Sequence, residues 1–211
     1  MPAAGAPYPE LPPQAFLKAD PSPDTAFYAQ PRLVAHIDDT AIAAVTDLYR
    51  ELVPPGGRVL DLMGSWISHL PPEAQYAEVV GHGMNKQELA ANPRLTRWFQ
   101  QDLNANPALP LDDASFDAAL ICVSVQYVQR PAELFPEVRR VLRPGAPVVV
   151  TFSNRCFPTK AVAIWQALSG PDQTRLVELY LDRAGFVRTE RREVLPGRRS
   201  DPLWAVIGYA P

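Results

Sequence analysis

The sequence predicts an α/β fold: a doubly wound, mostly parallel seven-stranded sheet with helices on both faces. Three observations carry this. Short apolar runs at 58–62, 77–82, 97–101, 116–124 and 146–152 alternate with stretches of helical periodicity. Turn-forming clusters such as Pro54-Pro55-Gly56-Gly57 and Pro144-Gly145 separate them. A length of 211 residues with 47% hydrophobic side chains suits one domain with a substantial core.

Along the chain, Leu33, Ile37, Ile42, Val45, Leu48, Tyr49 and Leu52 fall mostly at helical spacing, with Asp38 or Asp39 able to cap. The cluster at 54–57 ends that helix. Residues 58–62 (RVLDL) read as a buried strand and 63–65 as the turn after it. A helix at 66–70 is short, because Pro71-Pro72 stops it. A second strand at 77–82 leads into a helix at 85–91, and 97–101 is a weaker third strand. The run FDAALICVS at 116–124 is a strong fourth strand, followed by an amphipathic helix at 132–142 and a fifth strand at 146–152. Helical stretches at 159–168 and 172–184 precede strands near 186–194 and 203–208. Open parallel sheets bind ligands beyond their C-terminal strand ends. The loops after Leu62, His82, Gln101, Ser124 and Phe152 are therefore where a site is expected.

Seven of the 24 prolines fall within the first 24 positions. Proline fixes φ and removes a hydrogen-bond donor, so residues 1–24 are expected to form a flexible arm outside the core. Residues 25–57 are then expected to form a leading segment and the first helix, and 58–211 the main domain. Lys+Arg is 20 against Asp+Glu 23, a net charge of -3, which argues against a nucleic-acid partner. No apolar run approaches the ~18–20 residues of a membrane span, and no basic-then-apolar leader opens the chain. No membrane association and a cytoplasmic location are the expectations. Cys122 and Cys156 make no disulfide framework and lack metal-ligand spacing, so no metal is expected.

The stretch LPLDDASFDAAL at 109–120, continued by PAELFPEVRRVLRPGAPVVV at 131–150, resembles the class I S-adenosyl-L-methionine (SAM)-dependent methyltransferases. Within them it is similar to the type-11 branch of small Rossmann-like enzymes. Order and spacing agree with the family's "LP…FD" entry to the fourth strand and its "RVLKPGG" turn into the fifth. The resemblance, from about 58 to 152, implies a Rossmann-like version of the fold, SAM as cofactor and methyl transfer to an acceptor. It also implies where the cofactor lies. The family's D-x-G-x-G-x-G loop meets the methionine part; here 61–67 is DLMGSWI, which keeps Asp61 but puts Met63, Ser65 and Ile67 at the glycine places. The family's second strand ends in an acid that receives the ribose hydroxyls, and here VVGHGMN at 79–85 puts Gly83 there. Gln101-Asp102-Leu103 matches the acid-bearing loop at the adenine edge.

The altered places remain small and turn-forming, which reads as a rebuilt pocket. Its expected cofactor-binding residues are Asp61, Gly64, Ser65, Gly83, Met84, Asn85, Asp102 and Leu103, with Asn85 replacing the ribose acid. The resemblance also implies that the start of 25–57 folds over the cofactor as a lid, which puts Tyr28 and Arg32 on the substrate side, with Asn154 and Arg155 after the fifth strand, a pair suited to an anionic acceptor. Plainer roles compete: Asp61 as a helix cap, Tyr28 as packing for the arm, Asn154-Arg155 as a cap for the next helix. No His-Asp or Cys-His pair names a general base. Methyl transfer to a small-molecule acceptor is the leading expectation. The alternatives are a non-catalytic member of the fold that binds a nucleotide-like ligand or partner, and a SAM-consuming enzyme that does not methylate, such as a cyclase. The sequence carries no signal of oligomeric state.

Overall fold

Alternating apolar side chains give each inner strand two buried faces, and the chain covers both. In the computed structural model, which describes residues 7–211, the strands are β1 (Arg58–Leu62), β2 (Glu78–Gly83), β3 (Arg97–Gln100), β4 (Ala118–Cys122), β5 (Pro147–Phe152), β6 (Val187–Leu195) and β7 (Leu203–Tyr209). They form one sheet in the order β3-β2-β1-β4-β5-β7-β6. The first five are parallel, and β7 runs antiparallel to both β5 and β6. The helices are α1 (Asp24–Phe27), α2 (Asp39–Leu52), α3 (Lys86–Ala91), α4 (Pro131–Val141), α5 (Ala163–Ala167) and α6 (Gly170–Arg183).

On one face Leu60, Ile121, Val148 and Val150 pack with Phe135 and Val138 of α4 and Val177 and Leu181 of α6. On the other, Val59, Leu120 and Val149 pack with Ala41, Val45 and Leu48 of α2. Neighbouring strand residues thus feed opposite layers, as the two-residue period requires. The strand order reverses between β1 and β4, and a crevice opens above their C-terminal ends.

Four expectations change. The helix expected from 32 begins only at Asp39, with the Asp38 carboxylate capping the Ala41 amide; residues 28–37 are a strap across the crevice. No helix forms at 66–70, where the chain runs as an irregular loop that bends at His69 (φ 45°) before Pro71-Pro72. Of 159–168, only Ala163–Ala167 is helical.

The largest change concerns the arm. Residues 1–6 lie outside the described part, but from Tyr8 onward the segment packs against the core. Tyr8 is 4% exposed and meets Tyr180 edge-on at 5.5 Å. The amides of Ile164 and Ala163 donate to the carbonyls of Ala15 and Leu17, and the Asp20 amide to that of Thr159. Lys160, with no exposed surface, donates to the Ser22 carbonyl at 2.7 Å and pairs with Asp20 at 3.1 Å. The prolines do prevent a regular helix or strand. They also limit the conformational freedom lost on docking, so a few apolar anchors suffice to hold the segment. Among the described residues, no helix is long and apolar enough to cross a membrane.

Candidate active site

One cavity occupies the crevice above β1, β2, β3 and β4. Asp61, Gly64, Ser65, Gly83, Met84, Glu88, Asp102 and Leu103 line its walls, and Tyr28, Arg32 and His36 of the strap roof it. Most of the expected site residues are therefore brought together.

The loop after β1 has Met63, Ser65 and Ile67 where the family it resembles carries glycines, and it is held by side chains. Met63 still adopts a left-handed φ of 56° at the first glycine place, at a cost on the order of 1–2 kcal/mol for a residue with a Cβ. The Ser68 hydroxyl donates to Asp61, while the Asn92 amide donates to the Ser68 hydroxyl and the Ser65 carbonyl, both at 2.9 Å. Burial pushes the Asp61 carboxyl up to about 7, against the smaller lowering effect of the Ser68 hydrogen bond.

Gly83 is a glycine for a reason the fold makes explicit. A Cβ there would stand 2.5 Å from the Gly64 carbonyl oxygen, because the β1 loop crosses the end of β2. The Gly64 amide donates to the His82 carbonyl at 2.8 Å, and the Met63 amide donates to His82 Nδ1 at 3.1 Å. That bond requires the proton on Nε2, which donates to the Gln101 carbonyl at 2.9 Å. His82 thus ties together the loops after β1, β2 and β3.

Burial lowers the His82 pKa to about 4, outweighing the raising effect of its bond to Gln101. The neutral ring therefore stabilises the fold fully above the unfolded value of ~6.5, and this contribution fades as the pH falls through 4. Its full loss amounts to ~3 kcal/mol. His69, also lowered to about 4 by burial, adds a similar trend. Denaturant midpoints measured from pH 7 to pH 4 should fall in the wild type and fall less in His82→Asn. An equally steep profile in the variant would place the acid sensitivity elsewhere.

The strap is fastened at several points. The Arg32 amide donates to Glu88 Oε1 at 2.7 Å, and Trp66 Nε1 donates to the Val34 carbonyl at 3.1 Å. The Arg32 guanidinium lies 4.5 Å from the Phe27 ring centre and 5.4 Å from that of Phe157. Its Nη2 donates to the Phe27 carbonyl, while its Nη1 is buried without a partner. Burial raises the Tyr28 phenol, so it stays protonated.

Asp102 Oδ1 accepts from the Asn104 amide at 2.9 Å, which fixes the turn after β3; its other oxygen takes no hydrogen bond among the described residues. Leu103 is buried beside it.

Three expected residues do not serve as expected. Asn85 is spent: its Oδ1 caps α3 by accepting from the Gln87 and Glu88 amides, and its Nδ2 donates to the Tyr28 and Ala29 carbonyls. It anchors the strap, and both ends of its amide are already hydrogen-bonded. Arg155 pairs with Asp201 at 2.8 Å in a separate cavity, and Asn154 is exposed outside both cavities. The chain turns away after Ser153, and the residue that returns to the main cavity is Phe157.

Glu88 is the residue that sequence reasoning missed. The spacing Asn85-x-x-Glu88 is that of a capping box, which would give the carboxylate a local partner on its own helix. The structure instead sends it across the loop, where Oε2 accepts from the Ser65 hydroxyl at 2.6 Å.

A doubly wound sheet with a roofed cavity at its switch point defines a Rossmann-like fold. A family model for the methyltransferase domain matches residues 63–150, from the β1 loop into β5. Over that stretch, under half of the chain, the sequence is similar to a methyltransferase domain, and the fold agrees with it. Several solved structures share the fold. Haemonchus contortus phosphoethanolamine N-methyltransferase 2, in complex with SAM, is 15% identical over 80% of this chain, with a TM-score of 0.59. The chain spans about half of that protein, 52%. A putative methyltransferase of Haloferax volcanii, in complex with the activator Trm112, is 16% identical over 82% of this chain and 90% of its own, with a TM-score of 0.63. The [4+2]-cyclase SpnF is 17% identical over 89% of this chain and 90% of its own, with a TM-score of 0.62. At these identities the likeness is one of fold. No curated protein matches the chain in sequence.

Proposed function

We propose that the protein binds SAM in this cavity and transfers its methyl group to a small-molecule acceptor held under the strap. The observation that carries this reading is the charge of the walls. Asp61, Glu88 and Asp102 line the cavity with no Lys or Arg pairing any of them among the described residues, and Arg32 is the cation at the roof. Such a lining favours a ligand with positive charge. The remaining donor set fits SAM as well. Ser124 Oγ and His69 Nδ1 are buried beside the cavity without partners, and the wall at Gly83 has no room for a side chain.

In this arrangement Asp61, Gly64 and Ser65 hold the methionine part, Gly83 and Met84 approach the ribose, and Asp102 and Leu103 meet the adenine edge. An ammonium group beside Asp61 favours its ionised form and offsets its burial. Tyr28 and Arg32 face the acceptor, with the unspent Arg32 Nη1 suited to an anionic group. Bound SAM supplies a methyl group on a positive sulfonium. The chain's own task is alignment and exclusion of water, which the fastened strap performs. A second reading, a fold member that does not methylate, draws on the rebuilt β1 loop and the fold shared with a cyclase.

Thermal shift with SAM and S-adenosylhomocysteine (SAH) tests the cofactor. A ligand at 100 times its Kd stabilises by ~2.7 kcal/mol, and no shift at millimolar ligand would discard the reading. Product analysis then separates the alternatives, since methyl transfer yields SAH and a SAM-consuming cyclase yields 5′-methylthioadenosine. Asp102→Ala should keep the fold and weaken SAM by roughly ten- to a hundredfold, the value of a hydrogen bond to a charged acceptor at ~1.5–3 kcal/mol. Equal binding by variant and wild type would place the adenine elsewhere.

A further inference from the structure

The end of β2 lacks the acid that the ribose would need, and the structure shows why none can stand there: the Gly64 carbonyl fills the space next to Gly83. A carboxylate nevertheless lines the same cavity. Glu88 belongs to α3, which leaves directly from the β2 end, and its residue is buried at 8% exposure in the lining of the cavity that Gly83 and Met84 also line.

Its hydrogen bonds are counted easily. Oε1 accepts from the Arg32 amide and Oε2 from the Ser65 hydroxyl. A carboxylate has about four acceptor sites, so each oxygen retains one. No Lys or Arg neutralises it among the described residues; the titratable groups that face it are His36 and Tyr28 of the strap. A half-used carboxylate, fixed by two donors and open to the cavity, matches a group that offers two hydroxyls from adjacent carbons. Resting on the SAM reading above, we propose that Glu88 is the relocated ribose acid of this protein, accepting both hydroxyls of the cofactor's diol. Because the same carboxylate holds the strap through the Arg32 amide, it also links ribose recognition to closure of the lid.

The test compares SAH with its 3′-deoxy analogue, titrated calorimetrically against wild type and Glu88→Gln. The wild type should bind SAH at least tenfold more tightly than the deoxy ligand. In Glu88→Gln, SAH should weaken about tenfold and the two ligands should bind within a factor of two of each other. Glutamine keeps one acceptor for the Arg32 amide, and an unchanged melting temperature would show that the fold is intact. Limited proteolysis of the strap gives a second reading in the wild type alone: SAH should protect residues 29–36 more strongly than deoxy-SAH at equal saturation. A variant that still discriminates tenfold between the ligands, or a wild type that binds both alike, overturns the role of Glu88 and leaves the cofactor reading standing. A wild type that binds no SAH overturns both.

Discussion

Gly83→Asp, the substitution that restores the family's ribose acid in sequence, should unfold the site and abolish SAH binding. The new Cβ would lie 2.5 Å from a backbone oxygen of the β1 loop, and that loop is fixed to β2 through the bonds at His82. Overpacking of this kind costs ~1–3 kcal/mol, and burying an unpaired carboxylate adds to it. A total of ~3 kcal/mol or more corresponds to a melting temperature at least ~6 °C lower for a chain of this size. Gly83→Ala should show the steric part alone. Gly81→Ala is the milder control, since its added methyl meets only the flexible end of Leu95. Tighter SAH binding by Gly83→Asp would mean that the β1 loop moves aside freely and that Glu88 is not needed.

Deleting residues 2–24 should be still more damaging. It removes Tyr8 from its contact with Tyr180, takes Ala15 from the core, and strips Lys160 of Asp20, Ser22 and Asp24. Breaking a buried ion pair on one side costs ~3–5 kcal/mol, because the remaining charge is left unpaired in the interior. Losing a buried aromatic costs ~3 kcal/mol more. Together these lower the melting temperature by ~10 °C or more. Lys160→Met in the shortened chain should recover part of the loss by removing the stranded charge. A shortened chain that melts within 2 °C of the full one would show that the segment is not part of the cooperative unit.

Much of the fold can be read from residue order alone. The seven strands, their alternation with helices and the loops that carry the site follow from two short-range rules, the two-residue period of strands and the punctuation by Pro and Gly. Asp61, Gly64, Ser65, Gly83, Met84, Asp102 and Leu103 all reach one cavity because strand ends in an open parallel sheet converge there whatever the side chains do.

What the residue order left open depends on groups far apart in the chain. Proline content reports the local freedom of residues 8–24; whether they dock depends on a groove built around Tyr180 and on Lys160, some 140 or more positions away. Asn85 and Glu88 share a local capping pattern, yet their amide and carboxylate bond to Tyr28, Ala29, Arg32 and Ser65 across 23 to 57 positions. Asn154 and Arg155 follow the right strand but turn toward Asp201 and solvent. Sequence by itself determined the sheet and the end of it where ligands bind, since backbone periodicity and hydrophobic burial are nearly local properties. Only the tertiary structure decided which polar groups are already spent and which remain open, because a hydrogen bond is directional and short, and its partner is known only once the chain has closed on itself.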